Sequence, residues 1–324
     1  EDSLTMGVEA VIDCVRGFDR QSIDGLCFAT TTPAYREKQN ASIIAKVVDL
    51  PKSTEVLDIA NSIRGGSSAL RCAMHAVNSG AAKSFLVVAS DCRVPAPDSE
   101  FEFSLGDGSA AFLVGDSDIA AEIEGYYGIS SEFLDIWRRE EDKYIHTWEE
   151  RFVATHGYLE HTAAAVSGLF AQSGLAAKDF TKAIFYAWDE RRHAELARKL
   201  GFDYGTQVQD PLLTSVGNTG TASAPMMLVA ALENAKPGDR ILFVGYGDGA
   251  DAFALRVTDR IERLRNRRGI RKHLASKMSL VNYGRYLRFR NLLEHEVNRE
   301  LPPYGSLTHS WRDSDWVLGC KGHK

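Results

Sequence analysis

The clearest pattern in the chain is an apolar run that leads to Gly-Asp-Gly, then to small residues and a second apolar run. It occurs twice, once over residues 85–115 and once over residues 241–258. Short apolar runs bounded by glycines are typical of buried strands. Because a pattern that recurs along a chain indicates an internal repeat, the sequence predicts a duplication.

The repeat extends upstream of both Gly-Asp-Gly sequences at a nearly constant offset. Three pairs of segments match in their order of apolar and polar residues: 23–30 with 181–188, 40–50 with 193–202, and 63–77 with 218–232. In each half the first segment reads as an apolar strand, and the other two space their apolar residues as helices do. The repeated unit is therefore predicted to be a βαβαββ arrangement of about 150 residues.

A sharp turn from strand to helix is predicted in the first half. The sequence VLDIANS at 56–62 reads as a strand, and the glycine-rich segment 65–70 begins a helix. Such a turn exposes one residue and directs free backbone N–H groups at whatever lies beyond, which is the general geometry of a nucleophile elbow. Close packing of the helix in the core explains the small residues equally well, and both explanations can hold together.

One long stretch has no counterpart in the other half. Residues 130–173 are rich in Trp, Tyr, His and charge, and insertions on a repeated scaffold often carry specificity. We therefore expect a helical cap over the site. The predicted divisions are an N-terminal half at 1–120, a C-terminal half at 121–258 that includes this insertion, and a basic tail at 259–324.

Composition is that of an ordinary globular protein. Of 324 residues, 44% are hydrophobic and 25% charged, and no apolar run reaches the roughly 18 residues of a membrane span. The chain opens on a helical pattern at 3–16 without the features of a signal peptide, so part of the first half is expected to lie upstream. Four of the five cysteines lie in apolar or helical contexts, which fits reduced thiols in the cytoplasm.

Charge is unevenly distributed. The net charge is −6, yet residues 259–290 carry eleven Lys and Arg against two acidic residues. Such a stretch contacts ligand phosphates or an acidic partner, or it is a solvated helix face. No nucleic-acid-binding motif is present, so that partner is not expected. The nine histidines show no metal-ligand spacing, and turn chemistry explains Gly-Asp-Gly better than a phosphate loop does.

Together these segments resemble the thiolase superfamily, and within it β-ketoacyl synthase III and archaeal-type 3-hydroxy-3-methylglutaryl-CoA synthase. Segments in the family's order over about residues 1–293 carry the resemblance: IDGLCFATTTPAY (23–35), DIANSIRGGSSAL (58–70), LGDGSAAFLVG (105–115), DIWRREEDKY (135–144), VGNTGTASAP (216–225), GYGDGADAF (245–253) and YLRFRNLL (286–293). The resemblance implies an α/β thiolase fold with duplicated βαβαββ halves in five αβαβα layers. It also implies a CoA thioester as substrate and no further cofactor.

The resemblance implies partners as well. Members of the superfamily pair through an edge strand, here expected at 85–90, so a homodimer or a hetero-oligomer is predicted. The Trp-rich C-terminus with Cys320 resembles the beginning of the OB-fold/zinc-ribbon module that accompanies CoA-handling thiolase-like proteins, either fused or as a separate chain. A lone cysteine cannot complete a zinc site within this chain.

Three residues differ from the family at its catalytic positions. The family places Cys at the elbow, and alignment on the following helix puts Ile63 there. The family's His after the second-half strand corresponds to Tyr186, and Thr31 falls near the position of the family's Glu before a Pro-Tyr pair. The Asn of Gly-Asn-Thr matches as Asn218.

These differences decide which residues are candidates for chemistry. A thiolate attacks a thioester as a nucleophile, and isoleucine cannot. Ser62 is the neighbouring hydroxyl, but adjacent residues on a strand point to different sides and a serine still needs a base. Tyr186, as acid/base or hydrogen-bond donor, and Asn218 are therefore the candidate catalytic pair. The candidate substrate-binding residues are Thr31, Ile63, Trp188 and Gly247.

Three functions fit this set of residues. The first is aldol or retro-aldol chemistry α to a CoA thioester without a covalent intermediate, with backbone N–H groups from 245–249. The second is a non-catalytic scaffold subunit for an active paralogue. The third is an acyltransferase of the synthase type with an unusual nucleophile. Outside catalysis, Tyr186 is explained as a buried aromatic and Asn218 as a helix cap.

Overall fold

The computed structural model describes residues 2–293. The chain divides into two compact units, Glu1–Lys277 and Met278–Lys324. The first unit contains both predicted halves, and the described part of the second contains a single short helix. The Trp-rich C-terminus and Cys320, on which the predicted zinc-ribbon likeness depends, lie outside the described residues.

Strands and helices alternate along most of the chain. The first half contains α1 (Ser3–Cys14), β1 (Gly25–Thr30), α2 (Asn40–Val47), β2 (Glu55–Ala60), α3 (Gly65–Asn78), β3 (Ser84–Cys92), α4 (Glu100–Ser104) and β4 (Asp107–Gly115). The second contains β5 (Ala121–Ser130), β6 (Ile136–Trp137), β7 (His146–Thr147), α5 (Glu150–Phe152), a π-helix (Val153–Leu159), α6 (Glu160–Ser173), β8 (Lys182–Phe185), α7 (Glu190–Leu200), α8 (Ser223–Asn234), β9 (Arg240–Tyr246) and β10 (Gly249–Val257). Then follow α9 (Gly269–Ala275) and α10 (Tyr283–Phe289), and 3₁₀ turns lie at Arg20–Ser22, Ala177–Asp179, Gly220–Ala222 and Asp259–Leu264.

Each half forms a four-stranded sheet. In the first the order is β2-β1-β3-β4, with β1 parallel to β2 and β3, and β4 antiparallel to β3. In the second the order is β5-β10-β9-β8, with β8 parallel to β9, and β10 antiparallel to both of its neighbours. A parallel bridge from Ala183 to Val208 lies beside β8, where β2 lies beside β1. The predicted duplication is confirmed by this shared topology.

The helices complete five layers. α1 and α2 cover the outer face of the first sheet, and α6 with α7 covers the outer face of the second. α3 and α8 lie between the sheets and contact each other. The predicted α/β thiolase architecture in αβαβα layers is therefore confirmed. Strands β1 and β9 are buried along almost their entire length, as expected for strands with both faces covered.

The stretch predicted as a helical cap has two different parts. α6 packs on β5 and β10 as α1 packs on β3 and β4, so α6 is a helix of the repeated scaffold. Residues 131–152 form a loop that contains the hairpin of β6 and β7 and the short α5. Within the described chain, this loop is the part of 130–173 that the first half does not repeat.

The prediction that 85–90 is an edge strand is wrong. β3 pairs with β1 on one side and with β4 on the other, so its backbone groups are used on both sides. The edges of the first sheet, as described, are β2 and β4. The sequence of β3 gives the reason, because its apolar run at 85–89 belongs inside a sheet, whereas β2 carries Glu55 and Asp58.

Three arginines of the basic stretch form hydrogen bonds with other parts of the first unit. Arg265 donates to the backbone carbonyl of Glu233 at the C-terminal end of α8, at 2.9 Å, where a cation is favourable. Arg267 donates to the carbonyl of Asp13 at 2.5 Å, and the backbone N–H of Arg268 donates to the Asp13 carboxylate at 3.1 Å. These three arginines therefore have intramolecular partners, which is a structural role for this part of the stretch.

Candidate active site

The residues selected from the sequence meet where the two halves face each other. Strands β1, β3, β8 and β9 end at this place, as ligand-binding loops of α/β sheets do. Several contacts join the halves there, and two of them show the arrangement. The backbone N–H of Thr221 donates to the carboxylate of Asp91 at 2.8 Å, and Gly247 lies against Ile63.

The predicted elbow is present after β2. The strand ends at Ala60, Asn61 adopts a left-handed backbone with φ 71°, and α3 begins at Gly65. A left-handed residue other than glycine is uncommon and often accompanies a functional turn. The side chain of Ile63 at the turn is buried and belongs to the apolar core of the second half. The elbow geometry is therefore occupied by an aliphatic side chain.

Ser62 at the elbow interacts with the backbone of its own turn. Its hydroxyl oxygen accepts the backbone N–H of Arg64 at 3.3 Å. The described free cysteines are Cys14, Cys27, Cys72 and Cys92. Burial raises the pKa of the Cys14 thiol to about 12 and also raises that of Cys27. Buried thiols of this kind are poor nucleophiles, because the thiolate is the reactive form.

Gly247 packs directly against the elbow. It has φ +142°, and a Cβ added there would lie 2.7 Å from Ile63 Cγ1 and 2.9 Å from the backbone nitrogen of Arg64. Only glycine fits such a close approach without a shift of the backbone. The N–H of Gly247 donates to the carbonyl of Gly249 at 3.0 Å, so this N–H is used within its own turn.

Tyr186 and Asn218 form a buried pair. The side-chain N–H of Asn218 donates to the phenol oxygen of Tyr186 at 2.9 Å. The carbonyl oxygen of Asn218 accepts the backbone N–H of Gly220 at 2.9 Å, at the start of the 3₁₀ turn before α8. Asn218 thus caps this turn and contacts Tyr186 at the same time. Because the phenol oxygen accepts from Asn218, its own hydrogen is directed at another acceptor.

The surroundings of Tyr186 keep its phenol neutral. Burial raises the pKa of Tyr186 to about 12, while the positive charge of Arg93 and the hydrogen bond from Asn218 act in the opposite direction. A phenol with such a pKa is protonated at neutral pH. Tyr186 is therefore suited to donate a hydrogen bond or a proton, and not to accept a proton as a base.

Aromatic side chains surround Tyr186. Its ring stacks on that of Tyr246 with centroids 6.0 Å apart, and its carbonyl accepts the phenol of Tyr158 at 2.6 Å. Trp188 packs edge-on against Tyr158 at 4.9 Å. Tyr158 comes from the π-helix, a rare element that is frequent at functional sites. Trp188 thus belongs to the cluster of aromatic side chains that surrounds Tyr186.

A second buried pair, Tyr246 and Asp135, lies on the other side of the stacked rings. The carboxylate of Asp135 lies near the phenol of Tyr246 and accepts the N–H of Ile136 at 2.5 Å. Burial raises the pKa of Asp135 above its usual range, and burial together with the nearby carboxylate raises that of Tyr246. A buried carboxylate with a raised pKa is a typical general base.

Thr31 lies in a hydrogen-bond network around Asp91. Its backbone N–H and its hydroxyl donate to the Asp91 carboxylate at 2.6 and 2.9 Å. The same carboxylate accepts the hydroxyls of Thr30 and Thr32 at 3.0 and 3.1 Å. Arg93 donates to the Thr31 hydroxyl oxygen at 3.1 Å. Thr31 is therefore anchored within the protein on the first-half side of the site.

Residues 2–293 contain no group of three or more His, Cys, Asp or Glu side chains placed to hold a metal ion. Over the same residues, no helix combines the length and the apolar character that crossing a bilayer requires.

Sequence reasoning missed four residues of this site: Asp91, Arg93, Asp135 and Tyr246. Asp91 and Arg93 are polar residues at and just after the end of a buried strand, which is a signal for the binding edge of a sheet. Asp135 lies in a segment that stands out in the sequence only through the resemblance. No local pattern connects it to Tyr246, because the two residues belong to distant segments of the chain.

The chain matches known families over most of its length. Residues 57–128 match the family described as 3-oxoacyl-[acyl-carrier-protein (ACP)] synthase III, and residues 170–258 match its C-terminal part. A hydroxymethylglutaryl-CoA synthase of Aeropyrum pernix is 36% identical over 90% of this chain and 82% of its own length. One from Methanopyrus kandleri is 32% identical over 91% of this chain and 85% of its own length.

Solved structures agree in fold. An HMG-CoA synthase complexed with CoA superposes with a TM-score of 0.77 at 18% identity, over 86% of this chain and 76% of that one. MvaS in complex with 3-hydroxy-3-methylglutaryl coenzyme A superposes with a TM-score of 0.75 at 21% identity, over 94% and 83% of the two chains. The level of sequence identity to the curated relatives decides the family: the chain belongs to the hydroxymethylglutaryl-CoA synthases of the thiolase superfamily.

Proposed function

We propose that this protein makes or breaks a carbon–carbon bond next to a CoA thioester, by aldol or retro-aldol chemistry without an acyl-enzyme. The observation that carries the proposal is the hydrogen bond between Asn218 and Tyr186, in a core that also includes Ile63 of the elbow. An isoleucine offers no nucleophile, whereas the polar pair offers an acid. Aldol chemistry at a thioester needs a base and an oxyanion stabiliser, but no covalent nucleophile.

Tyr186 is the acid and oxyanion stabiliser in this proposal. Burial raises its pKa to about 12, so the phenol is protonated at neutral pH. Asn218 uses the phenol oxygen as its acceptor, which orients the O–H towards a substrate oxygen. A donor held in this way stabilises the enolate oxygen that develops in the transition state, and removal of one such donor typically costs about a hundredfold or more in kcat.

Asp135 is the base and acts through Tyr246. The carboxylate lies near the Tyr246 phenol, and burial raises the pKa of Asp135, which strengthens it as a proton acceptor. The stacking of Tyr246 on Tyr186 keeps the acid and the base within one aromatic cluster. Asp91 is less suited to this role, because its carboxylate oxygens already accept hydroxyl and N–H donors of the protein.

The cleavage direction illustrates the balance of the reaction. Tyr246 takes the proton of the 3-hydroxyl of a 3-hydroxyacyl-CoA while its own proton passes to Asp135. The bond between C2 and C3 breaks, its electron pair forms the thioester enolate at C2, and C3 becomes a carbonyl carbon. Tyr186 donates a hydrogen bond to the enolate oxygen. The proton held by Asp135 then returns through Tyr246 to C2, which gives the shorter acyl-CoA and restores the Asp135 carboxylate. Nothing is oxidised or reduced, and the condensation direction is the reverse sequence.

The relatives support the choice of substrate class. Those named above are hydroxymethylglutaryl-CoA synthases, and two similar folds hold CoA or 3-hydroxy-3-methylglutaryl coenzyme A. By this likeness the present substrate is a CoA thioester with a 3-hydroxyacyl group, or the acyl-CoA and carbonyl compound that condense to form it.

Turnover of a 3-hydroxyacyl-CoA panel tests the proposal. Shorter acyl-CoA and released carbonyl compound are quantified by liquid chromatography and mass spectrometry. Tyr186→Phe removes the donor and is expected to lower kcat at least a hundredfold. Tyr127→Phe, at an exposed tyrosine on β5, is the matched control and should keep wild-type activity. Full activity of Tyr186→Phe would overturn the role of this residue.

A scaffold subunit is the second candidate, favoured by the burial of Ile63 against Gly247 at the elbow. In that case the protein would bind an active paralogue and turn over no acyl-CoA itself. The two functions separate cleanly, since a scaffold has no activity on the panel with or without the Tyr186 phenol.

A homodimer or hetero-oligomer and an OB-fold/zinc-ribbon partner remain proposals from the resemblance. The edge strands of the first sheet are β2 and β4, so one of these must serve if pairing extends that sheet. The mass of the purified protein in solution, measured by light scattering, tests the dimer. Co-purification of a zinc-containing chain tests the partner.

A further inference from the structure

Arg93 brings a buried positive charge to the site. It follows β3 directly and is 3% exposed. Its guanidinium donates to the hydroxyl oxygen of Thr31 at 3.1 Å and lies 3.8 Å from the carboxylate of Asp91. Arginine stays charged even when buried, so the charge is a fixed property of this side of the site.

The Asp91 carboxylate lies closer to other donors than to Arg93. The N–H of Thr31 donates to it at 2.6 Å, the hydroxyl of Thr31 at 2.9 Å and the N–H of Thr221 at 2.8 Å. These distances are those of hydrogen bonds, whereas 3.8 Å is that of a loose ion pair. The position of Arg93 is therefore not explained by a close bond to Asp91.

Arg93 also lies against the turn that carries Asn218. A Cβ added to Gly220, which has φ +57°, would lie 2.8 Å from the Arg93 guanidinium. The N–H of Gly220 donates to Asn218, and Asn218 donates to the phenol of Tyr186. One turn thus has the guanidinium on one side and the partner of Tyr186 on the other.

Several charged or titratable groups act on Tyr186. Arg93 and Asp91 come from the end of β3, Asp135 from the loop at 131–152, Tyr158 from the π-helix and Tyr246 from β9. Arg93 is the cation among these groups. Its charge lowers the pKa of Tyr186, whereas burial and both carboxylates raise it.

We propose that Arg93 is a positioning residue for Tyr186: it braces the turn that carries Asn218 and supplies the positive charge that favours donation by the phenol to an anionic oxygen. The catalytic purpose of this arrangement rests on the proposed acid role of Tyr186. The effect of the Arg93 charge on the titration of Tyr186 does not depend on that role. It can therefore be measured without turnover.

The test places 3,5-difluorotyrosine at position 186 of the full chain. Its more acidic phenol titrates at lower pH than tyrosine, and the phenolate absorbance reports the titration directly. Arg93→Met removes the charge and is expected to raise the titration midpoint by about 1 in pH, the lower end of the effect of a neighbouring opposite charge. Arg93→Lys should hold the midpoint near that of the parent. Arg16→Met, at an exposed arginine, is the control and should not change it.

Each outcome decides the inference. A titration midpoint that rises in Arg93→Met but stays near the parent value in Arg93→Lys supports the inference. An unchanged midpoint in Arg93→Met overturns it. An equal rise in Arg16→Met also overturns it, because the effect would then be a general loss of charge. If Arg93→Met does not fold, Arg93→Gln, which keeps hydrogen-bond donors but carries no charge, takes its place: a raised midpoint in this folded variant supports the inference, and an unchanged midpoint overturns it.

A kinetic readout separates this inference from the proposed function. In an active enzyme, Arg93→Met should lower kcat about tenfold, the equivalent of 1 in pH, with a smaller effect on KM. If no acyl-CoA is turned over by any form of the protein, the proposed function fails while the titration still decides the role of Arg93. If turnover occurs but the titration does not respond, the inference fails and the proposed function remains.

Discussion

The side-chain amide of Asn218 donates to the phenol oxygen of Tyr186 at 2.9 Å, and both residues are buried. The bond joins the end of β8 to the turn before α8 and leaves the phenol hydrogen directed at another acceptor. It places a neutral acid in the same apolar core as Ile63, the buried aliphatic residue at the elbow. The proposed chemistry follows from this arrangement.

Asn218→Ala removes both bonds made by this side chain. Loss of the donor removes one of the two influences that lower the pKa of Tyr186, so its phenol should become a weaker acid. We expect kcat to fall about tenfold to a hundredfold. Stability should fall by about 1–2 kcal/mol, because the N–H of Gly220 loses its acceptor. Asn234→Ala at the end of α8 is the control, and equal losses in the two variants would count against the pair.

Gly247 is predicted to be required by close approach and not only by its backbone angle. Gly247→Ala places a methyl group against Ile63 and the backbone of Arg64, and it also strains φ +142°. Gly17→Ala is a matched control, since Gly17 has φ +81° and nothing lies within 4 Å of an added Cβ. Urea unfolding should show a loss of about 1 kcal/mol for the control and at least twice that for Gly247→Ala. Equal losses would mean that strain alone explains the glycine.

Ile63 is predicted to stabilise the elbow by packing. Its side chain is buried in the core of the second half, so Ile63→Ala should cost about 2–4 kcal/mol of unfolding free energy. Ile12 on α1 is 40% exposed, and Ile12→Ala should cost less than about 1 kcal/mol. A small effect at Ile63, combined with weaker acyl-CoA binding, would instead mean that this side chain contacts substrate.

His193 gives the protein a predictable dependence of stability on pH. Burial lowers its pKa from 6.5 to about 4, with the ring held between Phe185 and Tyr204. The unfolded chain binds this proton below about pH 6.5 and the folded chain only near pH 4, so stability is lost as pH falls through this range. The loss is about 3 kcal/mol at most.

Unfolding by urea at about pH 7, 5.5 and 4.5 measures this dependence. His193→Gln has no proton to bind and should flatten the curve over that range. His146→Gln, at an exposed histidine of the β6–β7 hairpin, should leave the slope unchanged. A slope that survives in His193→Gln would assign the acid sensitivity to another group.

The fold could be predicted from the sequence because the signals that determine it are local. Apolar runs, glycine turns and helical spacing recur in both halves, so the duplication is visible in the order of residues alone. Contacts between strands are less visible. The resemblance suggests an edge strand at β3, but its apolar run at 85–89 favours a place inside the sheet, and the polar residues Glu55 and Asp58 mark β2 as the strand with an open side.

The candidate site was predictable only in part. Tyr186 and Asn218 stand at positions that the resemblance identifies, and the repeat places them at neighbouring strand ends. The contact between Asp135 and Tyr246 depends on how the loop at 131–152 folds back over β9. The contact of Arg93 with Thr31 depends on two loops from different strands. Neither pair has a spacing in the sequence that fixes its distance in space.

The central claim is that chemistry at the CoA thioester proceeds without acylation of the protein, and the mass of the intact protein during turnover tests it most directly. The protein is mixed with 3-hydroxyacyl-CoA and acetyl-CoA, quenched at intervals and weighed by mass spectrometry, while products are quantified in the same samples. We predict that products accumulate while the protein keeps its unmodified mass at every interval. A stable acyl mass gain that maps to the peptide at 58–72 would contradict the account and place a nucleophile at the elbow.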